Sequence, residues 1–489
     1  MTEGVELNAA AARRRAAFGI AILTLRTAVT QVIVLAGTVV LVRVLSPADL
    51  GVFAVLQFAL TFFQFFGDAG IGGALIQGQA SPSERSLASA FTLQMLLAVL
   101  LVAVVWVVAP GVELVWSGLP RGSSDLLRAM SLAFLFTAAR TIPAILLERS
   151  LRFGAIAIAE VLQSATFYAT ACACAIAGLR DWTWPAAVLA QAVVGFVVFF
   201  AAQPWRPRLA LDWSLLGPLV RFGMPFQLKN LIGFANGAVT PLYAGAVLGP
   251  APVGLISWGQ QVAYLPLKLV EVVARVSFPL FSRMQYDRKA LAGVVERSLQ
   301  LAAFGVFFTT ALLLTAGSTI TVVVFSEKWL PGLVALQAFS AVLIIGFVSP
   351  VIGAAFDAVG RPGIVARLAV WWTALNWVVV PVTTWKWGLN GFVLGYCVHV
   401  IVGNVAILFV ARRELPEIRL FRPMAAPALG AVLVAAVGWL VLRPWATTPL
   451  RLGIGVALAG ALHLGTFALV DPQAIRMARR LLAGGGPGP

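Results

Sequence analysis

The sequence has little charge. Only 11% of its 489 residues are Asp, Glu, Lys or Arg, whereas an average soluble domain carries about 25%. Hydrophobic residues make up 60% of the chain. These proportions exclude water as the main solvent of the folded chain, and they argue against a soluble enzyme.

Motifs for nucleotide and metal chemistry are also missing. The chain has no Gly-Lys dipeptide and therefore no Walker-type phosphate loop, so we do not expect ATP as the direct fuel. Its two histidines, His399 and His463, lie in different apolar runs, which argues against a shared metal site. The three cysteines predict no disulfide framework. We therefore expect no cofactor.

Long apolar runs separated by short polar loops fill the chain almost to its end. Runs of this length predict transmembrane helices, because a lipid-exposed backbone must satisfy its own hydrogen bonds. The first run is too long for a signal-peptide core, so we expect a retained helix. The sequence thus predicts an all-α integral membrane protein of about fourteen spans, at residues 18–44, 51–76, 87–108, 126–147, 153–177, 184–202, 219–248, 254–281, 299–325, 333–356, 364–382, 389–410, 424–442 and 450–470.

Charge in the loops predicts the orientation of the chain. With the N-terminus inside the cell, the cytoplasmic segments contain about three times as many Lys and Arg residues as the outer loops, as the positive-inside rule requires. We therefore expect both termini in the cytoplasm. The same bias accounts for the net charge of +16 without nucleic-acid binding.

An internal repeat predicts two parallel lobes. Residues 44–51, VLSPADLG, match residues 247–254, VLGPAPVG, and both stretches join two long spans. Six spans separate the copies, so the copies keep the same membrane orientation. The predicted divisions are a cytoplasmic tail at 1–17, an N-lobe at 18–202, a linker at 203–218, a C-lobe at 219–410, two additional helices within 411–470, and a cytoplasmic tail at 471–489.

Polar residues recur at helical spacing on the first, second, seventh and eighth predicted spans. Spacings of i, i+4, i+7 and i+11 place such residues on one helix face. These faces should point away from lipid, because a charge in the bilayer centre costs about 2.5–3.5 kcal/mol. Their candidate site residues are Arg26, Gln57, Gln64, Asp68, Lys229, Asn236, Gln260, Tyr264, Lys268, Glu271 and Arg275.

Two interpretations of the charged residues remain open. In the first, Arg26 pairs with Asp68, and Lys229 pairs with Glu271, as struts between adjacent helices within each lobe. In the second, cations line an aqueous cavity and bind an anionic head group, while Asp68 and Glu271 act as counter-charges or as coupling sites for protons or sodium. The cations of the second interpretation are Arg26, Lys229, Lys268, Arg275 and, in the fourth span, Arg140. Glu160 and His399 are weaker candidates for this site, because such residues are more often packing or loop-adjacent features.

Four short segments resemble the polysaccharide transporter branch of the multidrug/oligosaccharidyl-lipid/polysaccharide exporter superfamily. They are RVLSPADLG at 43–51, FGDAGI at 66–71, FPLFSR at 278–283 and AVGRP at 358–362. The resemblance implies a Wzx-type flippase, which moves an undecaprenyl-pyrophosphate-linked oligosaccharide across the bacterial inner membrane by alternating access. It also implies cationic residues that hold the pyrophosphate, and coupling to a proton or sodium gradient.

The implied partners are the lipid-linked oligosaccharide, membrane lipids, and the polymerase and glycosyltransferases of lipopolysaccharide or exopolysaccharide synthesis. A flippase for lipid-linked peptidoglycan precursors is an alternative, since it shares fourteen helices and a cationic cavity. A drug or cation antiporter of the same superfamily should have twelve helices and a more acidic cavity. A membrane polysaccharide polymerase usually needs a large external loop, and the longest predicted outer stretch here lies only between Val108 and Leu126.

Overall fold

A computed structural model describes residues 3–67, 71–77, 82–116 and 118–472, without the side chains at 3–21, 23–24, 66, 71, 77 and 222–229. The described residues contain helices, turns and bends but no strand. The predicted all-α class is therefore confirmed. The chain divides into two compact units, Met1–Ala251 and Pro252–Pro489, while the lobe boundaries predicted above stay predictions.

The first unit contains eleven α-helices among the described residues. They are α1 (Glu3–Val44), α2 (Pro47–Gly67), α3 (Ile71–Gln77), α4 (Glu84–Val115), α5 (Ser123–Ser131), α6 (Ala133–Ala139), α7 (Thr141–Arg149), α8 (Phe153–Ile176), α9 (Thr183–Ala202), α10 (Trp213–Gly237) and α11 (Gly245–Leu248), with a π-helical segment at Val239–Ala244.

The second unit begins at Pro252, within α12 (Pro250–Ala263). It also contains α13 (Leu267–Arg283), α14 (Arg288–Ile320), α15 (Leu333–Gly346), α16 (Val348–Ala358), α17 (Pro362–Glu414), α18 (Ala425–Val437), α19 (Arg443–Trp445) and α20 (Pro449–Val470). Further short segments are π-helical at Thr321–Phe325 and Gly438–Leu442, and 3₁₀-helical at Glu327–Gly332 and Arg422–Met424. The late helices α18 and α20 pack together and against α14. His463 of α20 contacts the carbonyl oxygen of Phe304 at 3.0 Å through Nε2, which links α20 to α14.

The predicted number of fourteen membrane spans is not confirmed by the described residues. Among the described residues, eleven helices are long and apolar enough to cross a membrane, or twelve if one bent pair counts as a span. The longest, α17, has 53 residues but contains non-helical backbone at Trp387 and Gly388. At 1.5 Å per residue it would be about 80 Å long if straight, well beyond the roughly 30 Å of a bilayer core. Fourteen spans thus remain a prediction.

The eighth predicted span, at 254–281, is not one continuous helix. A turn at Tyr264–Pro266 separates α12 from α13. The ring of Pro266 has no N–H to continue the hydrogen-bond ladder, and it precedes the first residue of α13. The expectation of a single helical face from Gln260 to Arg275 is therefore wrong.

Small residues determine how helices pack in the first unit. Helix α8 lies against both α1 and α9. A Cβ atom on Gly37 of α1 would lie 2.1 Å from a ring carbon of Tyr168 of α8, so only glycine allows this approach. Ala171 and Ala175 are buried in the same contact. Close approach of this kind is what stabilises helix pairs in lipid, where apolar side chains gain little by leaving the bilayer.

The fourth predicted span is bent, and Arg140 lies at the bend. The segments Ser123–Ala139 and Thr141–Arg149 meet at an angle of 40°. Pro143 has no N–H to donate to the carbonyl group of Ala139, so the hydrogen-bond ladder is interrupted at this point. Proline is tolerated in the first turn of a new helix, where α7 places it. Arg140 thus lies at the junction where α6 ends and α7 begins.

The π-helical segment is anchored by a tryptophan. Pro241 cannot donate a backbone hydrogen bond, which favours a local widening of the helix. The carbonyl oxygen of Pro241 accepts a hydrogen bond of 2.8 Å from the indole Nε1 of Trp116. Trp116 is buried at the end of α4, so this bond joins α4 to the segment that follows α10.

We expect Trp116→Phe to lower the free energy of unfolding by about 1–2 kcal/mol, because it leaves the partly buried carbonyl group of Pro241 without this donor. Thermal unfolding in detergent measures the effect. Trp106→Phe is the matched control, since Trp106 lies on the same helix and is half-exposed. Equal midpoints for the two variants would contradict the assigned role of the indole hydrogen bond.

Candidate functional site

A polar cavity lies inside the first unit. It has a volume of about 420 Å³, within the range of about 300–1,000 Å³ that is common for small-molecule sites. We call it the N-lobe cavity. Helices α2, α6, α8 and α9 supply most of its lining: Phe53, Gln57, Leu60, Gln64, Ala133, Phe134, Thr137, Arg140, Gln163, Ser164, Phe167, Tyr168, Val188, Gln191 and Ala192.

Arg140 is the one charged side chain among those lining residues. It lies about 14 Å along the helix axis from Arg149 at the end of α7, a distance of about half the 30 Å thickness of a bilayer core. Its guanidinium carbon lies 5.1 Å from the centre of the Phe199 ring. Its Nε is buried and has no hydrogen-bond partner within the described part of the chain. A desolvated guanidinium with a free donor is well suited to bind an anionic or strongly accepting group.

A carboxylate close to the cavity forms an ion pair with an arginine of α1. Glu160 of α8 forms an ion pair with Arg26 of α1, and it also attracts the charge of Arg140 from beyond ion-pair distance. The three side chains together carry one net positive charge. The local field therefore favours a negative ligand over a positive one.

The partner of Arg26 was not expected from the sequence. Glu160 was interpreted as a packing residue, yet it forms an ion pair with Arg26, which lies 134 positions earlier in the sequence. Asp68, the partner predicted for Arg26, lies outside the described residues, so that pairing stays a prediction. The other predicted strut also stays untested, because the side chain of Lys229 lies outside the description.

We expect Glu160→Gln to lower the free energy of unfolding by about 1–2 kcal/mol, because it leaves Arg26 without its partner. A fully buried pair would cost more, but the two side chains are 25% and 40% exposed, and solvent screens them. Adding Arg26→Gln should restore part of the loss. Thermal unfolding of both single variants and of the double variant measures the coupling, with Glu148→Gln on α7 as an exposed control. Strictly additive effects would argue against a direct pair.

The structure brings together three of the residues predicted for the site. Gln57 and Gln64 of α2 line the N-lobe cavity with Arg140. Sequence reasoning missed the contributions of α8 and α9. Glu160, Gln163, Ser164 and Phe167 follow i, i+3, i+4 and i+7 spacing on α8, which is a signal the sequence did contain. Gln191 is an isolated polar residue in α9 and offers no comparable pattern.

The predicted residues of the second unit have other partners. Lys268 and Glu271 pair with each other along α13 at 3.3 Å, and both are exposed, as is Arg275. The Tyr264 hydroxyl donates a hydrogen bond of 2.5 Å to the Tyr396 hydroxyl of α17, so its ring faces the interior of this unit. Gln260 is partly buried. In the first unit, Asn236 is a partly buried residue of α10 outside the N-lobe cavity lining.

Residues 40–333 match a protein family described as "Polysaccharide biosynthesis protein". The chain is 24% identical over 383 residues to the lipopolysaccharide biosynthesis protein WzxC of Escherichia coli (strain K12), covering 76% of this chain and 75% of that protein. It is 26% identical over 266 residues to the succinoglycan biosynthesis transport protein ExoT of Rhizobium meliloti (strain 1021). That match covers 54% of this chain and 53% of ExoT.

Among solved structures, the lipid II flippase MurJ in its inward closed conformation is similar to this chain. The TM-score is 0.75 at 14% identity, and the match covers 92% of this chain and 99% of MurJ. At an identity this low, the match shows a shared fold alone. The likeness extends over nearly the whole of both chains.

Proposed function

The chain belongs to the polysaccharide biosynthesis protein family, and on that premise we propose that it is a flippase for lipid-linked polysaccharide repeat units. The membership confirms the resemblance to the polysaccharide transporter branch that the four short segments indicated. The proposed substrate is an oligosaccharide on undecaprenyl pyrophosphate. The proposed reaction is its transfer from the inner to the outer leaflet of the bacterial inner membrane, with both termini of the chain in the cytoplasm.

The observation that carries this proposal is the N-lobe cavity with its single cation. A lipid-linked oligosaccharide has an anionic pyrophosphate, a polyhydroxyl glycan and an apolar tail. The guanidinium of Arg140 suits the anionic pyrophosphate, since its fork of donors matches phosphate oxygens. The amide and hydroxyl groups of the same cavity suit the polyhydroxyl glycan. The tail remains in the lipid, where the outer faces of the helices are apolar.

In the proposed mechanism, Arg140 lowers the cost of bringing the pyrophosphate into the apolar layer. Its Nε, which lacks a partner among the described residues, gains a phosphate acceptor when substrate enters. Glu160 keeps Arg26 neutralised, so the attraction for the anion is concentrated at one side chain. Alternating access then exposes the loaded site to the opposite leaflet, driven by a proton or sodium gradient, with no chemical change in the substrate. The chain is thus proposed to be a transporter and not an enzyme.

A flippase for peptidoglycan precursors is the second candidate function, and the similarity to the fold of MurJ favours it. The family match favours polysaccharide repeat units instead. The two substrates share undecaprenyl pyrophosphate and differ in the attached group, so a transport assay with both separates them. The polymerase and glycosyltransferases of polysaccharide synthesis are the proposed functional partners. A drug antiporter is less favoured because the charge near the cavity is positive.

Reconstitution into liposomes tests the proposal. We expect the purified protein to move a fluorescent undecaprenyl-pyrophosphate oligosaccharide between leaflets when a proton or sodium gradient is imposed, and to leave the chain length of the glycan unchanged. Lipid II and a lipophilic cation drug serve as competing substrates. Transport of lipid II alone would select the second candidate. Elongation of the glycan would show a polymerase, and movement of none of the lipid-linked substrates would reject a flippase.

A further inference from the structure

We infer that Gln57, Gln163 and Gln191 form a sugar subsite beside Arg140, which selects the sugar attached directly to the pyrophosphate. The inference rests on the proposed function and deepens it. It assigns the recognition of the glycan to three side chains from three helices, α2, α8 and α9. We call these three residues the amide cluster.

The amide cluster has hydrogen-bonding capacity that the fold leaves unused. Each glutamine amide offers two N–H donors and an acceptor oxygen. Gln57 gives one bond to Thr61 at 3.3 Å, and Gln163 gives one to the Ala159 carbonyl at 3.2 Å. The side chain of Gln191 makes no hydrogen bond to the part of the chain that the structure describes. Free amide groups in a membrane-spanning bundle are costly unless water or a ligand completes them.

The composition of the cavity identifies the class of ligand. A sugar ring presents hydroxyl groups around its rim, and each hydroxyl is both a donor and an acceptor, as is an amide group. The faces of the ring are apolar, and the cavity offers the aromatic side chains of Phe53, Phe167 and Tyr168. Arg140 is the lining residue that carries charge. Beyond one anionic group, the cavity therefore suits an uncharged polyhydroxyl ligand.

A second cavity adjoins the N-lobe cavity. It has a volume of about 190 Å³ and shares Gln64, Phe134 and Thr137 with the N-lobe cavity. Its lining adds the nearly buried amide of Gln94. The two volumes together provide space beyond one sugar ring. The first sugar would meet the pyrophosphate group at the amide cluster, and later sugars would continue into the second cavity.

Binding of lipids with and without a sugar tests the inference. The probes are undecaprenyl pyrophosphate alone, and the same lipid carrying one glucose, one galactose or one N-acetylglucosamine. We expect the wild type to bind one of the sugar-bearing lipids about tenfold more tightly than the bare lipid, as two or three additional hydrogen bonds would give. The variant Gln57→Leu/Gln191→Leu should bind the bare lipid as the wild type does, and it should lose that tenfold preference.

Two further variants serve as controls. Gln31→Leu changes a glutamine of α1 that does not line either cavity, and it should keep the preference. Gln57→Ala/Gln191→Ala removes the same amides without adding apolar bulk, so it replaces the leucine variant if that variant does not fold. Unchanged affinity for the bare lipid serves as the test of folding.

The outcomes separate the subsite from the proposed function. A wild type that binds all four lipids equally, or an amide variant that keeps the preference, would overturn the subsite while the flippase proposal stands. A wild type that binds none of the four lipids would overturn both. Loss of the sugar preference with retained affinity for the bare lipid is the result that supports the assignment, because a merely structural role of the glutamines would weaken binding of every lipid alike.

Discussion

Arg140→Gln should reduce translocation of an undecaprenyl-pyrophosphate oligosaccharide by about 30-fold or more. The substitution removes the charge that lines the N-lobe cavity, and truncation of one partner of a desolvated charge pair costs about 2–5 kcal/mol. At about 1.4 kcal/mol per factor of ten, that loss corresponds to at least 30-fold in affinity for the pyrophosphate group. Initial rates in liposomes, compared at equal amounts of inserted protein, measure it.

The conservative variant and a control sharpen this result. Arg140→Lys keeps the charge but lacks the planar fork of donors, so it should retain part of the activity. Arg128→Gln changes an arginine of α5 that pairs with Asp125 at 2.8 Å and does not line the cavity. It should transport as the wild type does. If Arg140→Gln were as active as Arg128→Gln in folded, monodisperse protein, the N-lobe cavity would not be the head-group site.

Gly51→Ala should lower the free energy of unfolding by about 3 kcal/mol or more, the upper end of what overpacking costs. A Cβ atom on Gly51 would lie 1.7 Å from the carbonyl oxygen of Pro250 and 2.5 Å from its carbonyl carbon. These are backbone atoms, so no side-chain rotation relieves the overlap. The start of α2 and Pro250, the first residue of α12, both lie in the first unit and would have to separate. The thermal midpoint in detergent and the yield of monodisperse protein measure the effect.

Gly111→Ala is the matched control for this variant. Gly111 lies in α4, and nothing is within 4 Å of where its Cβ would be. Alanine is a better helix former than glycine by about 0.5–1 kcal/mol, so the control should be as stable as the wild type or slightly more stable. A Gly51→Ala protein with the same midpoint as Gly111→Ala would contradict the close contact with Pro250.

The solvent class and the helical class were predictable from the sequence. Both depend on local composition, because an apolar run long enough to cross a bilayer must become a helix whatever its neighbours are. Polar faces on single helices were also predictable, since residues three and four apart share a face. Gln57 and Gln64 were recognised in this way, and both line the cavity. The family resemblance was visible in four short segments and was confirmed by the match of residues 40–333.

The turn within the eighth span was not predicted, although the sequence contains Pro266 at that position. Hydropathy depends on composition and hardly changes at Pro266, whereas the helix depends on an unbroken ladder of backbone hydrogen bonds. The polar residues from Gln260 to Arg275 therefore fall on two helices. Tyr264 turns toward Tyr396, while Lys268 and Glu271 are exposed and pair with each other.

By itself the sequence determined that this chain is a helical membrane protein with polar helix faces, because those properties follow from the residues of each segment alone. Only the tertiary structure decided which faces meet. Arg26 pairs with Glu160 across 134 positions, and Gln163 and Gln191 join Arg140 in one cavity. In lipid, helices choose their neighbours by close fit at small residues such as Gly37 and not by burying apolar surface. The periodicity of a single helix carries no information about that fit.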